Sequence, residues 1–166
     1  MSDGEQTAET SDEQLDPNAY ELTDESEQLL RQVHHTWLHP TTGAVTRLAF
    51  GLWPKDTDGG LSTRRESLGA QTAYEEWIDQ NGSLASVGTF GIPVADVIAT
   101  QMRAYDDSHM PGRPTLHSRV DIRSYPGDEK QAARKLQQAT AGRSWLYEGD
   151  PCTCHPSPFG SSPAPN

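Results

Sequence analysis

Apolar positions along this chain change period several times, and each change marks an element. The clearest helical stripe covers residues 70–81. There Ala70, Ala73, Tyr74, Trp77 and Ile78 recur at i, i+3, i+4, i+7 and i+8. Asn81-Gly82 then offers the left-handed residue that stops a helix. A second helix is expected after Pro93, a residue suited to a first turn. Val94, Val97, Ile98 and Met102 would form its buried face, with Asp96 near its positive end. A third follows Asp128 and Gln131, which stand at capping-box spacing, and ends at Gly142.

Period-two runs predict the strands. Ala44, Thr46, Leu48, Phe50 and Leu52 share one face of a strand over 44–53, ended by Pro54. Lys55 to Gly60 reads as a polar loop, and Leu61 to Thr63 as a short strand. Residues 84–92 are apolar or small on both faces, as in a central strand covered from both sides. Leu116, Ser118, Val120 and Ile122 alternate with His117, Arg119, Asp121 and Arg123 in a half-buried strand, and Trp145 to Tyr147 add an edge strand. Asp106 to Pro114 is polar loop. Residues 24–37, with Leu29, Leu30, Val33 and Trp37, fit a helix or an extended chain equally well. The expected fold is α+β: about three helices on a mixed sheet of four to five strands, with some antiparallel pairing from the short first hairpin.

Composition changes this picture mainly at the ends. Only 33 % of residues are hydrophobic, and the shortfall is uneven. Residues 1–28 hold ten acidic groups and no Lys or Arg, so they carry −10 of the formal −11. The remainder is nearly neutral, which argues against nucleic acid as a partner, because phosphate contacts need clustered cations. Residues 1–21 are expected to be a disordered acidic tail, 22–150 a single globular domain, and 151–166 a flexible tail with five prolines. No basic-then-apolar leader opens the chain and no apolar run could span a membrane. Both cysteines fall in the last 15 residues, so a reducing, cytoplasmic setting is expected.

The run Val33-His34-His35-Thr36-Trp37, then Arg47-Leu48-Ala49-Phe50, Pro54-Lys55-Asp56 and Leu61-Ser62, resembles a group of small uncharacterised bacterial proteins. Ser86-Val87-Gly88 and Val120-Asp121-Ile122 extend the likeness over about 30–150. Those proteins commonly carry His-Pro where this chain has His34-His35. The resemblance implies a bacterial, free-standing small domain and no particular activity.

Two polar constellations could carry chemistry. His117, Arg119, Asp121 and Arg123 share one face of a predicted strand; two Arg can hold a phosphate or carboxylate and a His can move a proton. The plainer account is that an alternating strand needs a solvated face somewhere. His34, His35 and His39 cluster within six residues, and His34 is the candidate acid/base among them. Arg64, beside Arg65 and after Gly59-Gly60, could close an anion site, although the phosphate-loop Lys-Ser/Thr is absent. Cys152-Thr153-Cys154-His155 lacks the spacing and the second ligand pair of structural zinc, so no metal or other cofactor is expected. Ser62 carries no nucleophile signature: there is no Gly-x-Ser-x-Gly elbow, His-Glu-x-x-His or dinucleotide fingerprint.

The first functional expectation is an accessory or binding protein for a protein partner or a small anionic ligand, such as one containing phosphate. The second is an enzyme of nucleotide or phosphodiester chemistry, with His34 or His117 as acid/base and Arg64, Arg119 or Arg123 as phosphate clamps. The third is an antitoxin-like regulator. Geometry separates the first two. Convergence of His34, His117 and an Arg in one concave pocket favours the enzyme; scatter over convex surface removes it.

Overall fold

The segment left undecided by its pattern supplies a central strand. The computed structural model describes residues 19–53, 56, 58–82 and 86–149. Within it Gln28–Gln32 forms strand β2, and Leu29, Leu30, Arg31 and Gln32 are all buried. A strand covered on both faces has no polar side to alternate with, so its residues fit either helix or strand by pattern alone. Most of the two tails, including Cys152-Thr153-Cys154-His155, lies outside the described residues, as do Pro54, Lys55, Thr57 and 83–85.

The chain runs β1 Tyr20–Glu21, β2, β3 Gly60–Arg65, helix α1 Ala70–Asn81, β4 Gly88–Pro93, α2 Val94–Ala99, β5 Arg103–Asp106, β6 His117–Asp121, α3 Glu129–Ala139 and β7 Trp145–Glu148. Among the described residues the fold is α+β with three α-helices, as expected. The sheet differs. Among the described residues it has seven strands in the order β1-β5-β6-β3-β2-β4-β7 rather than four to five. Every pairing is antiparallel, so the sheet is not mixed. The extra strands are the short β1 and β5, too brief to show a period, and the doubly covered β2. Because Tyr20 and Glu21 pair with β5, the sheet begins just before residue 22.

The expected strand over 44–53 does not exist. Val45 makes one isolated bridge to Leu38, and Arg47–Phe50 is a turn of 3-10 helix. Thr46 bonds Trp37 O through both its N–H and its hydroxyl, at 2.8 and 2.7 Å, and its own carbonyl accepts from Ala49 N. These local bonds replace a ladder. Burial follows the turn and not a period of two: Ala49 and Phe50 are adjacent and buried, while Leu48 is 46 % exposed. The second helix is also shorter than its stripe suggested. It ends at Ala99, Gln101 takes φ +63, and Ile98 is 42 % exposed; Met102 is buried on the way into β5. Pro93 ends β4 and caps α2 from one position earlier than expected.

Other signals hold. Gly82 closes α1 at φ +87, with its N–H on Ile78 O at 2.7 Å. Asp128 caps α3 by accepting from Gln131 N at 2.8 Å, an arrangement worth about 1 kcal/mol. At β4, a Cβ on Gly88 would sit 2.5 Å from the Tyr147 carbonyl, so only glycine lets edge strand β7 approach.

Register divides the sheet into two faces. Leu61 lies opposite Val120, and with Leu29, Val33, Ile92, Phe90 and Ala104 they form the core face, covered by α2, α3 and the 47–50 turn. The other face carries α1, packed on β2, β4 and β7. On that side Ser62 lies opposite Arg119 and Arg64 opposite His117, at the flank of the helix. Arg65 locks the far end of β3: it binds Glu27, with one contact at 2.9 Å, and Asp106 at 2.6 Å. Among the described residues no helix is long and apolar enough to cross a membrane.

Candidate functional site

The β2–β3 ladder pairs Leu29 with Arg65 and Leu30 with Arg64 and then stops. Beyond that point the Ser62 carbonyl takes a side chain instead of a strand: Arg31 Nη1 donates to it at 2.8 Å, and Arg31 Nε donates to Ala49 O at 3.0 Å. A cleft of about 840 Å3 opens here, within the range of small-molecule sites. Its floor is Gln32, Ser62, Arg64 and His117. Its walls are the β2–β3 loop with His34, Trp37, Trp53 and Asp56, the end of α1 with Trp77, Gln80 and Asn81, and the β5–β6 loop with Arg113 and Pro114.

Ser62, His117 and a residue not singled out from the sequence, Asp107, form a continuous chain. Ser62 Oγ is 2.9 Å from His117 Nε2, and His117 Nδ1 is 2.5 Å from Asp107 Oδ1. The Asp107 side chain is 0 % exposed and its second oxygen lies 3.1 Å from Arg113 Nε. A carboxylate can only accept, so the contact suits a ring hydrogen on Nδ1; in the neutral ring that tautomer leaves Nε2 as the acceptor facing the Ser62 hydroxyl. Arg113 continues outward to Asp58 at 2.5 Å, and Arg119 reaches the same oxygen at 3.3 Å. Burial works to raise the Asp58 carboxyl, but Arg113, the Gly60 N–H and Arg119 outweigh it and hold it below the usual range.

The three cations of the cleft are not equivalent. Arg64 is tied to Glu76 at 3.1 Å and to Thr115 O, and Arg113 to two carboxylates. Arg31 is buried, and among the described residues no carboxylate comes within ion-pair distance of it. Burial lowers it to about 10, with Asp56 opposing from further away, so it stays charged at neutral pH. Its guanidinium carbon sits 5.2 Å from the Trp37 ring, and Trp37 stacks on Trp53 at 5.2 Å and 25°. The site therefore combines a buried cation lacking an anion with flat aromatic surface.

The sequence candidates divide. His34, His117 and Arg64 do meet in this cleft. His34 is pushed down by burial and by neighbouring His35, and its Nδ1 accepts from Thr36 N at 3.3 Å. His39 lies elsewhere and accepts from Thr41 and Thr42 N. Arg119, Asp121 and Arg123 do not line the cleft. Arg119 is buried against Asp58 and the Tyr105 ring; Asp121 caps the 122–124 turn through Arg123 N; Arg123 is exposed on that turn, with its side chain against Gly59. The expected four-residue polar face is broken because β6 ends at Asp121, and the strand is buried rather than half-buried from His117 to Val120. Ser62 stands within β3. The residues missed were Arg31, Asp107, Arg113 and the three tryptophans. No local spacing marks them; only the β3–β6 register and the end of the β2–β3 ladder bring them together. Among the described residues no group of three or more His, Cys, Asp or Glu could hold a metal ion.

Compared with protein-family models, curated proteins and solved structures, the chain finds no match.

Proposed function

We propose that this protein is an enzyme acting on a small phosphate-bearing molecule with a flat ring, nucleotide-like in its chemistry, with His117 as acid/base. The observation that carries the reading is the Ser62–His117–Asp107 chain opening into a cleft that also holds Arg31. Arg31 is buried with no ion pair among the described residues and only the more distant Asp56 to balance it, and such a cation favours an anion because its charge is costly to leave uncompensated. Trp37, Trp53 and Trp77 give a ring a surface to stack on. Arg64 keeps the clamp role expected of it, and Arg31 takes the one expected of Arg119 or Arg123. The accessory-protein reading accounts for the cleft but gives no reason for a His oriented by a fully buried carboxylate.

Thermal-shift titration with a nucleotide panel, followed by assay of phosphate-ester cleavage, tests this. Arg31→Met should weaken the best ligand by ten- to a hundredfold, matching about 1.5–3 kcal/mol for a hydrogen bond to a charged group. Arg31→Lys, which keeps the charge but loses the fork, should fall between. Circular dichroism would confirm folding of both. No stabilisation by any phosphate compound would remove the reading.

A further inference from the structure

We infer that Ser62 is the nucleophile of this cleft and forms a covalent phosphoseryl intermediate with a phosphodiester; this rests on the reading just given. The hydroxyl occupies the hydrogen-bonding position at His117 Nε2, the ring nitrogen not held by Asp107, at 2.9 Å. A water nucleophile would first have to displace it. Behind the imidazole, Asp107 is fully buried and fixes the ring at 2.5 Å. The backbone of Ser62 is fixed as well, because Arg31 holds its carbonyl at 2.8 Å.

The sheet provides an internal comparison. One position along, Thr63 and Ser118 pair hydroxyl to hydroxyl at 2.8 Å on the opposite face, fully enclosed. That is how this sheet makes a structural cross-strand hydrogen bond: two neutral hydroxyls, no carboxylate and no opening. Ser62 and His117 are instead a diagonal pair, with a charge behind them and a cleft in front.

The chemistry balances with water as the only co-reactant. The Ser62 Oγ–P bond forms as the P–O bond to the leaving alcohol breaks. The Ser62 proton passes to His117 Nε2 and on to the leaving oxygen. Water then attacks phosphorus and gives a proton to His117 Nε2. The Oγ–P bond breaks and Ser62 takes that proton back. One diester and one water become one monoester and one alcohol. Arg31 and Arg64 face the phosphoryl oxygens in both steps.

The test uses the full chain with bis(4-nitrophenyl) phosphate as substrate and an aryl fluorophosphonate as trap. Wild type should release nitrophenol and gain one phosphonyl group by intact mass, and peptide mapping should place that group on Ser62. Ser62→Ala should lose the adduct and fall to background turnover, while phosphate ligands still stabilise it against heat. The mapped wild-type adduct stands whether or not the variant folds. An adduct on another residue, or none, overturns the assignment. Full turnover in Ser62→Ala with loss in His117→Gln would also overturn it, making water the nucleophile and leaving the proposed function standing. No ligand stabilisation and no turnover in wild type would remove both.

Discussion

Asp107→Asn should fold normally and lose on the order of 10²- to 10⁴-fold in kcat, the usual worth of a positioned acid–base group. Asp107 touches no ligand; it acts through His117. Its carboxylate faces His117 Nδ1 at 2.5 Å and favours the tautomer that, in the neutral ring, keeps Nε2 as the acceptor toward Ser62. An asparagine can turn its NH2 toward the ring, so that Nδ1 becomes the acceptor and Nε2 carries the hydrogen. The base is then protonated on the wrong nitrogen. The split between kcat and KM distinguishes this role from a structural one. Arg31 and the tryptophans bind independently of the tautomer, so KM should change little and the melting temperature only modestly. A parallel loss of ligand affinity and melting temperature would make Asp107 a structural residue holding Arg113.

The largest effect on stability should come from Leu61→Ala. Leu61 is 0 % exposed in β3, opposite Val120 and within the main apolar cluster. Truncation loses the transfer energy of the removed carbons and leaves a cavity that β3, held to β6 and enclosed by the apolar cluster, cannot fully close, costing about 2–5 kcal/mol. Leu146 in edge strand β7 is 43 % exposed, and Leu146→Ala should stay within about 0.5 kcal/mol. Urea unfolding measures both. The midpoint should fall for Leu61→Ala with little change in slope, since the surface exposed on unfolding is nearly the same. Equal costs at the two sites would mean that the cluster around Leu61 relaxes freely.

Helices were legible because each carried an intrinsic stripe or cap: the apolar row of α1, the Gly82 stop and the Asp128 cap act over a few residues. β6 was legible from its alternation, and β4 from an apolar run of strand length closed by Pro93. Buried β2 offered no contrast, and four-residue β5 was too short to show a period. The 44–53 segment shows the converse. Alternating letters around Leu48 suggested a strand, yet the Thr46 hydroxyl and amide had a closer acceptor in Trp37 O. Of the site, His117, His34 and Arg64 were visible as residues with suitable chemistry. Asp107 looked like one more polar loop residue, because its burial depends on a fold that brings His117 and Arg113 around it. Ser62 had no motif to announce it, since the His and Asp that orient it lie 55 and 45 positions further along the chain.

The strand order also governs how the chain reaches its folded state. Central pairings join distant residues: Gln32 bonds Thr89 across 57 positions, and Ser62 bonds His117 across 55. Each such closure costs chain entropy before any contact offsets it. Sheets dominated by remote pairings reach the native state in roughly milliseconds to seconds, against microseconds for local helical folds. Helix α1 can form early from its own residues. Ser62 and His117 meet only once β6 has docked on β3, so this pair is assembled with the long-range core and cannot persist in a partly folded chain.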